Sequence, residues 1–151
     1  MNIKDILTAK GSNVFTVKPS CTIAALSEVL QANRIGAVVV SSDGQAIDGV
    51  ISERDIAYAV HIHGQKLHAR PVSDLMTTSV MTCAPSDTVA LVASTMLSRN
   101  VRHLPVEENG RLVGMVSIRD ILKERVDELQ QKTALLSGLA NQPDRPSQDR
   151  E

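Results

Sequence analysis

The most constraining feature of this sequence is an internal duplication. Residues 14–22 align with residues 80–88 at an offset of 66 (80 − 14), and residues 49–56 align with 114–121 at an offset of 65 (114 − 49). The slip of one residue falls between the two blocks, which places it in the turn around Asp48. Two copies of one supersecondary unit therefore fill most of the chain, and such copies share a core because neither buries its apolar face alone.

The first copy is predicted to begin with a strand, a helix and a second strand. Residues 14–17 form a short β-prone run that ends before Pro19, which cannot continue a ladder. Thr22 is suited to cap the helix that follows, whose apolar positions have helical spacing. Residues 37–40 are small or β-branched without polar alternation, which is typical of a strand covered on both faces.

A third strand and a second helix complete the unit. Asp43-Gly44 supplies the chemistry of a hairpin turn, residues 47–51 return as a strand, and Ser52 begins a helix. The second copy repeats this order, with a helix over 89–97, strands over 104–106 and 112–116 on either side of an Asn109-Gly110 turn, and a helix from Ser117.

These patterns predict an α/β fold of the α+β kind, in which two β-α-β-β-α repeats pack about a pseudo-twofold axis. One copy has too little sheet to cover both of its helices, so the copies are expected to dock face to face. Short lead-ins precede the copies, Asp5-Ile6-Leu7 in the first and Asp74-Leu75-Met76 in the second. We assign residues 1–68 to repeat 1 with an N-terminal lead-in helix, 69–128 to repeat 2, and 129–151 to a helical extension and a disordered tail.

The last helix continues beyond Asp120 with an apolar stripe on one side. Its members recur at spacings of four and three: Leu122, Val126, Leu129, Thr133, Leu136 and Ala140. Fewer than three heptads leaves two interpretations open, a short coiled coil or a terminal helix packed on its own or a partner's core. From Asn141 the chain is polar and contains two prolines, so we expect disorder there.

Composition excludes several classes of function. Aromatic residues are only 1% of the chain, so a platform that stacks bases on aromatic rings is not expected. The net charge of -1 gives no electrostatic footprint for nucleic acid. No apolar run reaches the length of a membrane span, and residues 1–7 lack the apolar segment of a signal peptide. We therefore expect a cytoplasmic protein that binds neither nucleic acid nor membrane.

The cysteines and histidines do not indicate a catalytic or metal centre. Cys21 and Cys83 lie far apart and form no CxxC, so we expect small buried thiols rather than a disulfide or zinc site. Cys83 falls in a predicted strand without an adjacent base, which argues against a nucleophile. His61 and His63 point apart on a helix, and with His68 they lack an acidic or cysteine co-ligand. No phosphate-binding loop, dinucleotide fingerprint, zincin or nucleophile-elbow motif occurs either.

The strongest functional signal is the duplicated pattern Gly-x-x-Ser-x-Arg-Asp-Ile at a strand-to-helix junction, over 49–56 and 114–121. One interpretation is structural, since Ser-x-x-Asp is typical of a capping box at a helix start. That role explains Ser and Asp but not the recurrence of Gly, Arg and Ile. The other interpretation is ligand binding, because helix N-termini favour phosphate and a carboxylate one turn inside can accept ribose hydroxyls.

The sequence resembles the tandem cystathionine-β-synthase (CBS) domain pair, also called a Bateman module, over about residues 3–128. The resemblance rests on the paired motif, on a Thr-x-x-Pro start in each repeat, and on Arg102-His103-Leu104-Pro105-Val106. It implies a regulatory module that binds adenine nucleotides in clefts between the repeats, with AMP, ADP, ATP, NAD(H) and S-adenosylmethionine as family ligands. It also implies pairing of two modules into a disk-like homodimer.

Carried over position by position, the resemblance assigns roles in nucleotide binding. The ribose-binding carboxylate corresponds to Asp55 and Asp120, and the hydroxyl near the phosphate corresponds to Ser52 and Ser117. The segments whose backbone meets the adenine edge include Thr16 and Thr82. Further candidates, either phosphate neighbours or cleft-lining residues, are Arg54, Arg119, Arg102, His103, Lys18 and Ala37. The five cations among them are, individually, more often surface charges than ligands.

The two predicted clefts are not alike. Repeat 1 has Ile35-Gly36-Ala37 where repeat 2 has the bulkier and cationic Val101-Arg102-His103, so we expect unequal sites, at least one of which binds nucleotide tightly. The favoured function is a non-enzymatic adenine-nucleotide sensor, without a catalytic cofactor or metal, that signals to a separate effector protein. The alternative is a structural or protein-interaction module whose Ser-x-x-Asp elements only cap helices.

Overall fold

The computed structural model describes residues 1–140, and the disorder predicted from Asn141 onward falls outside them. Helices and strands alternate in an α+β fold, as the sequence predicts. In chain order the elements are α1 (Ile3–Lys10), β1 (Thr16–Val17), α2 (Ile23–Asn33), β2 (Ala37–Val40), β3 (Gly49–Ser52), α3 (Glu53–His63), two 3-10 turns (Gly64–Ala69 and Val72–Asp74), α4 (Val89–Arg99), β4 (His103–Glu108), β5 (Arg111–Ser117) and α5 (Ile118–Ala140).

The first repeat has a three-stranded sheet of order β1-β2-β3, with β1 parallel and β3 antiparallel to β2. The prediction for β2 is confirmed, and Thr22 caps α2 by accepting from the Ala25 amide at 3.2 Å. The third strand begins at Gly49 rather than at residue 47. The connection is longer than a two-residue hairpin because the Asp43 carboxylate accepts from the amides of Gln45 and Ala46 and holds these residues in the turn.

The second repeat has only the antiparallel pair β4–β5, with an irregularity between Val106 and Glu107. The prediction of a first strand in this repeat is wrong, because the segment forms only a single parallel bridge, between Cys83 and Val106. The pairing in the first repeat, Thr16 with Val39, would here involve Pro105 in the place of Val39. Proline has no N–H to donate to a ladder, so this ladder stops after one residue.

Each repeat has its own apolar core, so the prediction of one core shared by the two copies is wrong; the repeats instead exchange their lead-in segments. Helix α1 contributes Ile3, Ile6 and Leu7 to the core of the second repeat, whereas Val72 is buried in the core of the first. The exchange is reciprocal in its hydrogen bonds, which join the amides of residues 3 and 4 to carbonyls in 85–87 and the amides of residues 72 and 73 to carbonyls in 19–21. The boundary at residue 68 remains a prediction about chain organisation, since in space each lead-in packs on the other repeat.

The exchanged lead-ins explain the duplicated glycine of the motif. A Cβ at Gly114 would lie 2.7 Å from Leu7 Cδ2, and a Cβ at Gly49 would lie 2.6 Å from Met76 Sδ. Leu7 and Met76 are the last residues of the two lead-ins that the sequence aligns. Both glycines are therefore required for close packing of a lead-in side chain on the strand.

Helix α5 continues beyond the second core. Along the predicted stripe Leu122 is 57% exposed and Leu129 is 64% exposed, while Ile121, next to Leu122, is only 2% exposed and belongs to the core. The stripe thus does not pack on the chain's own core, and the coiled coil and the partner's core remain open as predictions. Among the helices within residues 1–140, none has the length and apolar character needed to cross a membrane.

Candidate functional site

A cavity of about 310 Å³ lies between the two repeats. The first repeat contributes the β3–α3 junction, the second contributes the connection from α4 to β4, and residues 77–81 run between them. Both apolar and polar residues line this cavity. Its lining residues are Gly36, Ala37, Val50, Ser52, Glu53, Arg54, Asp55, Thr77, Ser79, Val80, Met81, Arg99, Asn100, Val101, Arg102, His103, Leu104 and Pro105.

The β3–α3 junction places Ser52 and Asp55 at the start of a helix. Ser52 is the N-cap of α3, its amide donates to Asp55 Oδ2 at 2.8 Å, and its Oγ lies 3.1 Å from the same oxygen. The structural interpretation of Ser-x-x-Asp is thus confirmed here. Both bonds use Oδ2, and no residue between 1 and 140 donates to Oδ1. One carboxylate oxygen therefore remains able to accept a hydroxyl from a ligand.

The cavity has a cationic side built mainly from the second repeat. Arg54, from α3, crosses the cleft and donates to the Asn100 carbonyl at 3.2 Å. Asn100 ends α4 with φ of 53°, a left-handed conformation that asparagine tolerates. Arg99 and Arg102 flank it on the cavity lining. Because the Glu53 and Asp55 amides at the start of α3 already have acceptors, the guanidinium groups are what favours an anion on this side of the cavity.

His103 lies where the two repeats meet. A Cβ at Gly36 would lie 3.3 Å from both the His103 ring and the Glu53 carboxylate, so a larger residue there would require these side chains to shift by a few tenths of an ångström. Burial lowers the pKa of the imidazole; Glu53 and Asp120 oppose this shift, while Lys10 and Arg102 add to it. The ring is therefore held towards its neutral form, in which one nitrogen can donate and the other can accept a hydrogen bond.

The junction of the second repeat, at Ser117 and Asp120, has the same capping geometry but a different neighbour. The Ser117 amide donates to Asp120 Oδ2 at 2.8 Å, and the Asp120 amide donates to Ser117 Oγ at 3.2 Å. Lys10, at the end of α1, adds an ion pair to Asp120 Oδ2 at 2.8 Å. Burial would raise the pKa of Asp120, but the hydrogen bonds and charge of Lys10 and Ser117 outweigh burial and lower it.

A second opening of about 510 Å³ lies on this side of the molecule. Arg34 and Arg119 line it together with residues of α2 and with Glu53 and Ile56 from α3. Neither Ser117 nor Asp120 is among the residues that line it. Asp55 thus lines the first cavity, whereas Asp120 lines neither of these two openings.

Residues 3–62 and 72–127 each match the CBS domain. The chain belongs to the CBS domain family. A CBS-domain-containing protein from Agrobacterium tumefaciens, 40% identical, has a crystal structure that superposes with a TM-score of 0.80 over 83% of this chain and 99% of that one. The prediction of a CBS domain pair is confirmed.

Two further CBS pair structures contain ligands. CBSX2 in complex with AMP is 26% identical and has a TM-score of 0.71 over 83% of this chain and 96% of that chain. The CBS domain pair of protein MJ0100, in complex with 5′-methylthioadenosine and S-adenosyl-L-methionine, is 25% identical, with a TM-score of 0.74 over 85% of this chain and 98% of that chain. Similar CBS pairs thus bind compounds that share an adenosine group.

The cavity of about 310 Å³ between the repeats is called the CBS cavity below. Half of the predicted site residues line it, namely Ser52, Arg54, Asp55, Arg102, His103 and Ala37. Arg119 instead lines the second opening. The remaining predictions, which line neither cavity, are Thr16, Lys18, Thr82, Ser117 and Asp120. Thr82 and Lys18 are exposed, whereas Val80 and Met81, beside Thr82, line the CBS cavity. The roles of all these residues in binding remain predictions.

Several residues of the two CBS clefts were not predicted. Asn100 could have been found, because an Asn directly after a helical pattern favours the left-handed C-terminal position. Thr77 and Ser79 lie in the short linker and carry no motif of their own. Lys10 had no local signal, since it reaches Asp120 across 110 residues of sequence only because the lead-ins are exchanged.

Two further predictions concern metal binding and the reactivity of the cysteine thiols. Within residues 1–140 no group of three or more His, Cys, Asp or Glu side chains is arranged to hold a metal ion. Burial raises the pKa of the Cys83 thiol to about 12, with a smaller contribution from Asp87. A thiol of this kind is not a nucleophile at neutral pH.

Proposed function

We propose that this chain is a regulatory CBS module that binds a phosphorylated adenosine in the cavity at Asp55. The observation that carries the proposal is the cavity itself. It is lined by Asp55, whose Oδ1 accepts no hydrogen bond from residues 1–140, and by three arginines, all around one space between the repeats. In this arrangement the carboxylate accepts the ribose hydroxyls, while the arginines bind phosphate.

Adenine fits the apolar part of the cavity. Among the described residues that line it, none is Phe, Tyr or Trp, and its walls include Val80, Met81 and Leu104. Aliphatic side chains on both faces of a purine, with backbone groups at its edge, provide recognition without stacking on aromatic rings. The scarcity of aromatic residues in the sequence is thus compatible with an adenosine ligand.

The charge and the size of the cavity favour one class of adenosine compound. Arg54, Arg99 and Arg102 favour an anionic phosphate over a cationic sulfonium such as that of S-adenosylmethionine. The volume of about 310 Å³ is at the lower end of the roughly 300–1,000 Å³ typical of ligand sites. We therefore rank AMP and related mononucleotides ahead of NAD(H).

The test is a calorimetric titration of AMP, ATP, NADH and S-adenosylmethionine into wild type and Asp55→Asn. Asparagine can still accept from the Ser52 amide, so helix capping is retained while the negative charge is lost. Loss of a charged hydrogen bond of about 1.5–3 kcal/mol should weaken AMP binding roughly 10- to 100-fold. Asp127→Asn, the same change on the exposed part of α5, is the matched control. Unchanged affinity in Asp55→Asn would overturn the proposal.

We further propose that the module is non-enzymatic and cytoplasmic, acts as a homodimer, and transmits the ligand signal to a separate effector protein. These statements rest on the family resemblance. They can be checked by native mass spectrometry, which measures subunit number and co-purifying ligand in one experiment.

A second candidate function is a protein-interaction module without a nucleotide. It is favoured by the capping boxes, which already give Ser52, Asp55, Ser117 and Asp120 a structural role. Thermal melting separates the two functions, because a ligand that binds only the native state raises Tm with its concentration. A Tm that stays constant up to millimolar AMP, ATP and NADH would favour the interaction module.

A further inference from the structure

The two clefts differ in the length of the segment that leads from the exchanged lead-in to the repeat. Leu7 and Met76 occupy equivalent places, against Gly114 and Gly49 respectively. From Leu7 to Val14 the chain has six intervening residues, 8–13, whereas from Met76 to the equivalent Val80 it has three, 77–79. The additional length allows α1 to continue for another turn, and this turn ends in Lys10.

The extra turn changes what covers the strand beside each motif. In the first repeat Val50 is paired by backbone, since its carbonyl accepts from the Thr77 amide at 2.9 Å and its amide donates to the Thr77 carbonyl at 3.0 Å. The equivalent residue of the second repeat is Met115. Its carbonyl accepts from the Lys10 ammonium at 2.9 Å. The Lys10 ammonium therefore donates to the Met115 carbonyl, whereas in the first repeat a backbone N–H, that of Thr77, donates to the Val50 carbonyl.

The same ammonium group reaches the carboxylate of the second motif. Lys10 Nζ lies 2.8 Å from Asp120 Oδ2, and the two side chains are 36% and 22% exposed. In the first cleft the equivalent segment, residues 77–79, contributes Thr77 and Ser79 to the cavity lining, and neither carries a charge. Asp55 therefore faces open space, whereas Asp120 is already neutralised by a cation from its own chain.

We infer that Lys10 is an internal competitor that keeps the second cleft closed to adenosine ligands, so that each chain binds one ligand, at Asp55. This inference rests on the proposed function. Lys10 pairs with Asp120 Oδ2 and so offsets the negative charge that would attract a ribose diol, and its ammonium occupies the approach to the Met115 carbonyl. A partly exposed ion pair is weak compared with a buried one, so removal of this single side chain opens the cleft without disrupting the fold.

The experiment counts AMP molecules bound per chain, by native mass spectrometry and calorimetry, for wild type, Lys10→Ala and Lys10→Ala/Asp120→Asn. We expect one AMP in wild type, two in Lys10→Ala and one again in the double variant. Lys4→Ala removes a lysine from the same helix without touching Asp120, and it should keep one AMP. Circular dichroism establishes that each variant is folded.

The outcomes distinguish this inference from the proposed function. If wild type and Lys10→Ala each bind one AMP, the role of Lys10 is overturned and the proposed site at Asp55 is not. Two AMP bound to wild type would have the same meaning. No AMP in wild type but one in Lys10→Ala, lost on adding Asp120→Asn, supports the role of Lys10 and overturns the proposed site at Asp55. No AMP in any variant overturns both.

Discussion

The two halves of this chain carry the same motif but surround it differently. In both halves the motif carboxylate is bonded through Oδ2, but Asp55 lines a cavity, whereas Asp120 also forms an ion pair with Lys10. Both motifs keep their capping interactions, so the repeated residues serve the fold in each half. What surrounds each motif carboxylate depends on residues outside the repeat pattern. A duplicated motif therefore identifies two equivalent backbones rather than two equivalent sites.

The motif isoleucines allow the largest test of this comparison. Ile121 is 2% exposed in the second core, whereas Ile56 is only partly buried and lines the second opening. Ile121→Ala should reduce the free energy of unfolding by about 3 kcal/mol, and Ile56→Ala by about 1 kcal/mol, because a partly exposed site loses less buried area and leaves a smaller cavity. Urea denaturation of both variants measures the difference. Equal losses would mean that the two halves pack their motifs alike.

The motif glycines give an intermediate effect. A Cβ at Gly49 would meet the Thr77 carbonyl at 3.0 Å as well as Met76, whereas at Gly114 it would meet only the flexible end of Leu7. Overpacking costs about 1–3 kcal/mol, so Gly49→Ala should fall near the top of this range and Gly114→Ala near the bottom.

A double-mutant cycle sharpens the glycine comparison. Leu7→Ala should partly rescue Gly114→Ala, because it removes the atoms that the new Cβ meets. Met76→Ala should rescue Gly49→Ala less, since the Thr77 backbone remains in place. Additive effects at both pairs, measured by chemical denaturation, would contradict the packing of the exchanged lead-ins.

The smallest expected effect concerns pH and the difference between His103 and Ala37, its counterpart in the first repeat. Because burial lowers the pKa of His103 in the folded state, the unfolded chain binds more protons as the pH falls through and below the unfolded value near 6.5. This contribution to stability is thus present above pH 6.5 and is lost on acidification. Tm should fall from pH 7.5 to pH 5.5, and it should fall less in His103→Gln.

His61→Gln, which replaces an exposed imidazole on α3, is the matched control for the pH experiment. A fall in Tm that is the same in wild type and in His103→Gln would show that other groups set the pH dependence.

Local patterns were sufficient for the elements whose cause is local. The apolar run of β2, the threonine cap of α2 and the capping boxes at Ser52 and Ser117 depend on residues within a few positions of one another, and they could be predicted. The missing first strand of the second repeat could not, because it depends on Pro105, which lies in a different strand. The strand prediction failed because pairing with Pro105 stops the ladder, and not because the segment lacks β propensity.

The candidate site likewise has features with a local cause, which could be predicted, and features with a distant cause, which could not. The β3–α3 junction was predicted from its motif, and three of its residues line one cavity together with three other predicted residues, Ala37, Arg102 and His103. Unequal clefts were expected from the contrast between Ala37 and His103, but the ion pair of Asp120 with Lys10, at the end of the lead-in helix, was not predicted. A lysine at a helix end has no distinguishing pattern until the partner of that helix is known.

The exchange of lead-in segments has a consequence for how such a chain could have arisen. A polypeptide with one copy would retain the groove that Leu7 or Met76 fills but would have no second lead-in to place there. Only another molecule could supply it, so a single copy would assemble as a domain-swapped dimer in which each subunit completes the other. Gene fusion would then turn this intermolecular swap into an intramolecular one and free the two halves to diverge, the first carrying both the motif that lines the cavity and the longer helix whose Lys10 pairs with the motif carboxylate of the second.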